Sequence, residues 1–340
     1  MSTDQTGPHS SKTRRLWSLY VLAAVGVVLG VSLREPLVGL FTSDHDDTPS
    51  RPTFELPTKT DEAVRREAQR RIEPTLEWAD DESKRLIAVH LKAIEGYFEQ
   101  AKEGTRPFAE EALSYSSKWR LIIDYVPYTD GGRHERYIRN RFEHHVFKSD
   151  DLGEVIQESI SGYLAALQDI ENRMLVKMRA DVADLPSTAL PEFADNDVLE
   201  DAYAAALKTA ADSSQVELRA DVAREVAAMV AGEVLSFVAV KLGVSTGILS
   251  AGAGSSWATL GLSFLVSLIV DQVVSWVWDW WADPKGELAA KMNDQLDSIL
   301  NLMISGDAEN PGLRDRLGII ATERKRLREA ALSRLLGAEN

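Results

Sequence analysis

A chain of 340 residues, 44% hydrophobic and 27% charged, is long enough for one or two folded domains with a sizeable core. Its net charge of −15 argues against broad nucleic-acid binding, which needs a basic footprint, and against general attraction to anionic lipid. The absence of Cys excludes disulfides, thiolate metal sites, Cys nucleophiles and a lipid-modified cysteine anchor.

Residues 1–15 end in the basic run Lys12-Thr13-Arg14-Arg15. An uncharged segment follows, Leu16 to Leu33, with Trp17 and Tyr20 near its start. As a helix it would span about 27 Å, close to the thickness of the hydrocarbon core. A cleaved signal peptide would have a shorter apolar core and end in small residues. Leu29-Gly30-Val31-Ser32-Leu33 fits that poorly, so 16–33 is expected to be a transmembrane signal anchor. The positive-inside rule places 1–15 in the cytoplasm and the main domain outside it. Residues 34–60 read as a linker, because Pro36, Pro49, Pro52 and Pro57 alternate with Asp44, Asp46 and Asp47.

The remainder is rich in Ala, Leu, Glu and Arg, all strong helix formers, and poor in strand-like runs. The expected fold is all-α: a transmembrane helix, a linker, and an elongated helical bundle with an apolar helical hairpin. A bundle domain is expected over 61–221. Within it the spacing predicts a helix over 61–103, kinked or broken at Pro74, and a second over 107–125. Pro127 to Gly132 reads as a turn, and a short helix follows over 133–148. Ile156, Ile160, Tyr163, Leu167, Ile170 and Met174 alternate by four and three, the stripe of a long bundle helix over 151–184. Another long helix is expected over 197–241. The pentapeptide Arg-Ala-Asp-Val-Ala at 179–183 recurs at 219–223 with unlike flanks, so it does not indicate a repeat array.

Residues 222–283 form the apolar hairpin. No charge occurs between Lys241 and Asp271. Trp257 and Trp276, with Trp280 and Trp281, bracket a membrane-length apolar run, the pattern of an interfacial aromatic belt. Residues 257–281 are therefore a candidate second membrane pass, with a hairpin buried in the bundle and a conditional insertion element as alternatives. Ser263, Ser267, Asp271 and Ser275 fall four apart, as in a polar ridge between helices. Ala223, Ala227 and Ala231, and likewise Ala228, Gly232 and Ser236, let a neighbouring helix approach closely. Folding the hairpin brings Arg224 near Asp271, a candidate ion pair. Residues 284–340 are expected to be amphipathic helices, the last over 312–337, with Leu313, Leu317, Ile320, Leu327, Ala331 and Leu335 on one face.

Residue patterns that signal chemistry are few. His134-Glu135-Arg136-Tyr137-Ile138 begins like a zinc-protease motif, but Ile138 stands where the second His is required. Gly252-Ala253-Gly254-Ser255-Ser256-Trp257 lacks the third Gly of a dinucleotide fingerprint. The histidines are expected to be surface residues, and acidic pairs such as Asp80-Asp81 and Glu110-Glu111 to be solvated. One cluster stands out from the acidic background: Arg133, Arg136, Arg139 and Arg141, suited to an acidic partner, lipid phosphate or another part of this chain.

The expectation is a non-enzymatic, membrane-anchored scaffold or interaction module without cofactor or metal. Its partners would be the bilayer and a protein or second copy met through amphipathic helices, and not nucleic acid. The alternative is a membrane-inserting or pore-forming protein using 222–281, whose layout resembles that of colicin-type pore-formers in architecture only.

Overall fold

The computed structural model describes residues 59–124, 133–213, 223–242, 266–276 apart from 268 and 275, and 285–337. All regular structure among them is helical, save an isolated antiparallel bridge between Gly306 and Pro311. The helices are α1 (Lys59–Glu103), α2 (Thr105–Ala112), α3 (Tyr115–Asp124), α4 (Arg133–His145), α5 (Ser149–Asp181), α6 (Asn196–Ser213), α7 (Ala223–Lys241), α8 (Lys285–Ser305) and α9 (Leu313–Leu335). A 3₁₀ turn, Pro191–Phe193, lies between α5 and α6, and residues 266–276 are helical where described.

Helix α1 runs through Pro74 without a break. The proline cannot donate to the carbonyl four residues earlier. Burial of Ile72, Thr75 and Ala79 around it supplies the packing that outweighs one missing bond. The run expected as one helix over 107–125 is two, because the chain turns at Leu113-Ser114. The Ser114 carbonyl and hydroxyl both accept from the Ser117 backbone N–H, at 3.1 and 3.3 Å, and so start α3 afresh. Of the helix expected over 197–241, Asn196–Ser213 and Ala223–Lys241 are helical and 214–222 lie outside the described residues.

The described residues fall into two compact units. The first is built from residues 59–84, 165–213 and 319–337. Ala68, Ile72 and Ala79 of α1, Leu167, Ile170, Met174 and Met178 of α5, Leu199, Tyr203 and Leu207 of α6, and Leu327, Ala331 and Leu335 of α9 form its core. With buried Thr75 between Ile72 and Ala79, each set recurs at three- or four-residue spacing, so each helix turns one stripe inward. Thr75 hydrogen-bonds Asp181 at 2.6 Å and Arg71 pairs with Asp184, which closes the end of α5 against α1.

The second unit takes residues 85–124, 133–164, 224–242, 266–276 and 285–318. Its core joins Leu91, Ile94 and Phe98 to Leu152, Ile156 and Ile160, and to Met292, Leu296, Ile299 and Met303. Phe142 sits at the centre of an aromatic cluster, 5.1 Å from Phe147 and 5.8 Å from Phe108 between ring centroids, both edge-on as ring quadrupoles prefer. Helix α2 packs on α8 and bonds it through Thr105 and Asn293 at 2.9 Å. Gly104 turns the chain from α1 into α2 hard against the end of α4: a β-carbon there would lie 1.7 Å from the His145 carbonyl oxygen.

No helix among the described residues is long and apolar enough to cross a membrane. The proposed anchor, with Leu16, Trp17, Tyr20 and Leu33, lies outside the described residues, as do the linker up to residue 58 and most of the hairpin crest. In the part of the hairpin that is described, Val266, Ile269, Val270 and Val273 are buried within the second unit. The Glu233 and Lys241 charges that make α7 a poor lipid-facing span are paired, Glu233 with Arg316 and Lys241 with Asp307 and Glu309.

Candidate functional site

Helices α2, α3 and α4 meet in the second unit to build a basic, aromatic face. Its pivot is Tyr137 on α4, whose hydroxyl donates to the Glu111 backbone carbonyl at 3.4 Å. The Arg120 guanidinium lies 4.7 Å from the ring centroid of Tyr137, and that of Arg141 lies 5.4 Å from it. Two cations on one phenol ring are held by the negative π-faces. The Glu111 carboxylate at the end of α2 takes Arg141 at 2.9 Å and His145 at 3.2 Å, which fixes the inner edge of the face. Below it, buried His134 bonds Ser117 through Nε2 at 3.1 Å and ties α4 to α3.

The outer edge is open. Tyr115 is 75% exposed and Trp119 49% exposed, with their rings edge-on at 6.1 Å. Together with Ser116, Arg120 and Arg133 they line a concavity of about 450 Å³. Arg120 and Arg133 are exposed there. Helices α3 and α4 carry six Lys and Arg against three Asp and Glu, in a chain whose total charge is −15. The arrangement therefore offers fixed guanidinium charge beside amphipathic rings, which suits oxyanions at a polar–apolar boundary.

The four arginines singled out in the sequence divide. Arg139 pairs with Glu135 at 3.0 Å and donates to Ser267 Oγ at 3.0 Å, and Arg141 is held by Glu111 and Tyr137. These two serve internal pairing, while Arg133 and Arg136 face solvent. Ser267 is thus a side-chain acceptor for α4. Asp271 is exposed, and among the described residues Glu135 and Arg139 act on it electrostatically. The Arg224 side chain lies outside the described residues, so the pairing of Arg224 with Asp271 has no geometry. Trp276 is half-buried under the Lys291 ammonium, 5.7 Å from the ring centroid. Trp257, Ser263, Ser275, Trp280 and Trp281 are outside the described residues.

Two expectations are corrected. His134 is a buried hydrogen-bonding residue and not a surface one. Asp80 is not solvated: it is 8% exposed and takes Arg328 at 2.5 Å and Lys325 at 2.7 Å. Alongside it Arg324, fully buried, grips Glu171 with two parallel bonds of 2.8 Å and reaches Gln168 at 3.3 Å. In the second unit Arg316, 4% exposed, pairs with Glu233 and donates to the Pro311 carbonyl at 2.9 Å. Sequence reasoning missed these pairs, although one signal was visible. The apolar stripe of α9 runs 313, 317, 320, 327 and 331, and the position it skips is 324, where an arginine occupies a core site.

Gly243-Val244-Ser245-Thr246-Gly247 carries the G-x-S-x-G pattern of a nucleophile elbow. That elbow needs a strand before it, and here the preceding element is helix α7. The described residues contain no group of three or more metal-ligating His, Asp or Glu side chains. No protein-family model, curated protein or solved structure matches this chain.

Proposed function

We propose that this chain is a membrane-tethered, non-enzymatic helical module that presents the α3–α4 face to a partner on the extracytoplasmic side. The observation that carries the tether is the uncharged run from Leu16 to Leu33 behind Lys12-Thr13-Arg14-Arg15. A linker of the composition of 34–60 reaches several tens of Å from a bilayer, at roughly 3 Å per residue when extended. The bundle's use of charge supports a scaffold role. Its most deeply buried ions, Arg324 with Glu171 and Arg328 with Asp80, join one helix to another, which is a structural use.

Flotation on phosphatidylcholine vesicles tests the tether. The full chain is expected to co-float and to resist alkaline carbonate, and a chain lacking residues 16–33 to do neither. Equal behaviour of the two chains would remove the anchor. Release of a trapped dye from the same vesicles would favour the membrane-inserting alternative instead, which requires Val266, Ile269, Val270 and Val273 to leave the core.

A further inference from the structure

Helices α3 and α4 bring Tyr115, Trp119, Arg120 and Arg133 to one solvent-facing concavity of about 450 Å³. We infer that this face docks on the phosphate headgroups of an anionic bilayer, the one to which the chain is tethered. The inference rests on the tethered reading, and three features favour lipid as the occupant.

The first is the side-chain chemistry. Trp119 and Tyr115 are large exposed rings with a polar edge, the type that settles at the headgroup level of a bilayer. Side by side, the two rings form one exposed aromatic patch.

The second is local charge. An acidic chain is repelled by anionic lipid unless it is basic where it touches. Two of the described acids beside the face are already engaged. Glu111 holds Arg141 and His145, and Glu135 holds Arg139. Arg120 is held over Tyr137 but keeps its charge at the rim, and Arg133 is exposed beside it. The guanidinium groups can then take phosphate oxygens through paired N–H donors.

The third is effective concentration. A face on a domain tied to the bilayer through the 34–60 linker meets lipid at an effective concentration that a dissolved acidic protein must match. Weak individual contacts then suffice. Each arginine near an anionic surface changes the docked-to-undocked ratio by about fivefold at physiological salt.

The chain has no Cys, so Ser116→Cys creates a single labelling site in the concavity. The labelled full-length chain is reconstituted in vesicles carrying a headgroup spin-labelled lipid, and quenching of a fluorophore at residue 116 is read. Strong quenching is expected in phosphatidylcholine–phosphatidylglycerol vesicles and weak quenching in phosphatidylcholine alone. It should fall away in molar salt, where screening shortens to about 3 Å. Arg133→Glu should reduce the docked-to-undocked ratio by fivefold or more, and Trp119→Ser should also reduce it, with helix content unchanged by circular dichroism. The salt and lipid comparison on the otherwise unaltered chain stands even if a variant misfolds.

Quenching that is equal in both lipids, or absent from both, overturns the inference. So does salt-sensitive binding of polyglutamate at residue 116 without lipid quenching, which would assign the face to an acidic protein. The two proposals fail separately. A chain that floats on phosphatidylcholine without anionic-lipid quenching keeps its tether and loses the docking face. A chain that does not float, yet is quenched by added anionic vesicles, loses the tether and keeps the face.

Discussion

Arg324 has no solvent exposure and its Glu171 partner is 3% exposed at the side chain, so this pair is fully withdrawn from water. Desolvating both ions costs about as much as their attraction returns, which makes the pair a poor source of net stability and a strong constraint on which helices meet. Truncating one member leaves the other charged and buried. Arg324→Met is expected to destabilise the protein by roughly 3–5 kcal/mol in urea unfolding, and Arg324→Met with Glu171→Leu to recover most of that loss. A double variant no better than the single one would show that packing, not charge, sets the cost. Asp307 offers a pH-dependent counterpart. The Lys241 ammonium at 2.7 Å, with the backbone N–H groups of Glu309 and Asn310 at 2.9 Å, holds its carboxyl down at about 2. A lowered folded pKa means the unfolded chain binds this proton first as pH falls. Its contribution is therefore complete above the ordinary carboxylate range and is lost as pH drops towards about 2. A carboxyl carbon titration by NMR is expected to place its midpoint near that value, and Lys241→Met to move the midpoint up.

Two of the short connections between helices depend on a glycine. At Gly306 the backbone adopts φ +71°, a left-handed conformation, and the chain returns to pair with Pro311 while Asp307 caps the turn. At Gly104 the conformation is ordinary but the space is not, since the His145 carbonyl occupies the β-carbon position. Gly104→Ala must separate α2 from the end of α4. It is expected to cost 3 kcal/mol or more, above the ~1–3 kcal/mol usual for overpacking, because backbone and not a side chain must move. Thermal unfolding measures this, and an unchanged midpoint would mean that the α1–α2 corner relaxes freely. The helices themselves were legible because period-3.6 apolar spacing is a local property. The four–three stripe of 156–174 marks the inward face of α5, and 313–335 marks that of α9. The break at Leu113-Ser114 was not legible, since apolar spacing continues across it and the turn depends on Ser114 bonding Ser117.

For the whole molecule, charge is sorted by sign and depth. Among the described residues most acids lie on exposed helix faces, while α3 and α4 gather a basic minority at one surface. The late basic run, which could pass for a topology signal, is divided. Arg316, Arg324 and Arg328 are buried in ion pairs, and Arg314 and Arg326 face solvent. Three of its members are withdrawn from water, and the described valines of 266–273 are in the core. A reporter fused after Asn340 is then expected to be active on the side of the main domain. Activity in the cytoplasm would mean that 257–281 crosses.

The sequence by itself determined what depends on near neighbours along the chain: an all-helical fold, most of the helix spans, the absence of Cys chemistry, and a basic cluster at 133–141. Only the tertiary structure decided which of those charges are available. Arg139 and Arg141 are taken by Glu135, Ser267 and Glu111, while Arg133 and Arg136 face solvent and Arg133 shares an open rim with Arg120. Asp80 and Arg328 are 248 residues apart, and no local pattern distinguishes a solvated aspartate from one in a core pair. Helical periodicity is written within about two turns, whereas burial and ion pairing arise only when distant helices close over one another and remove water.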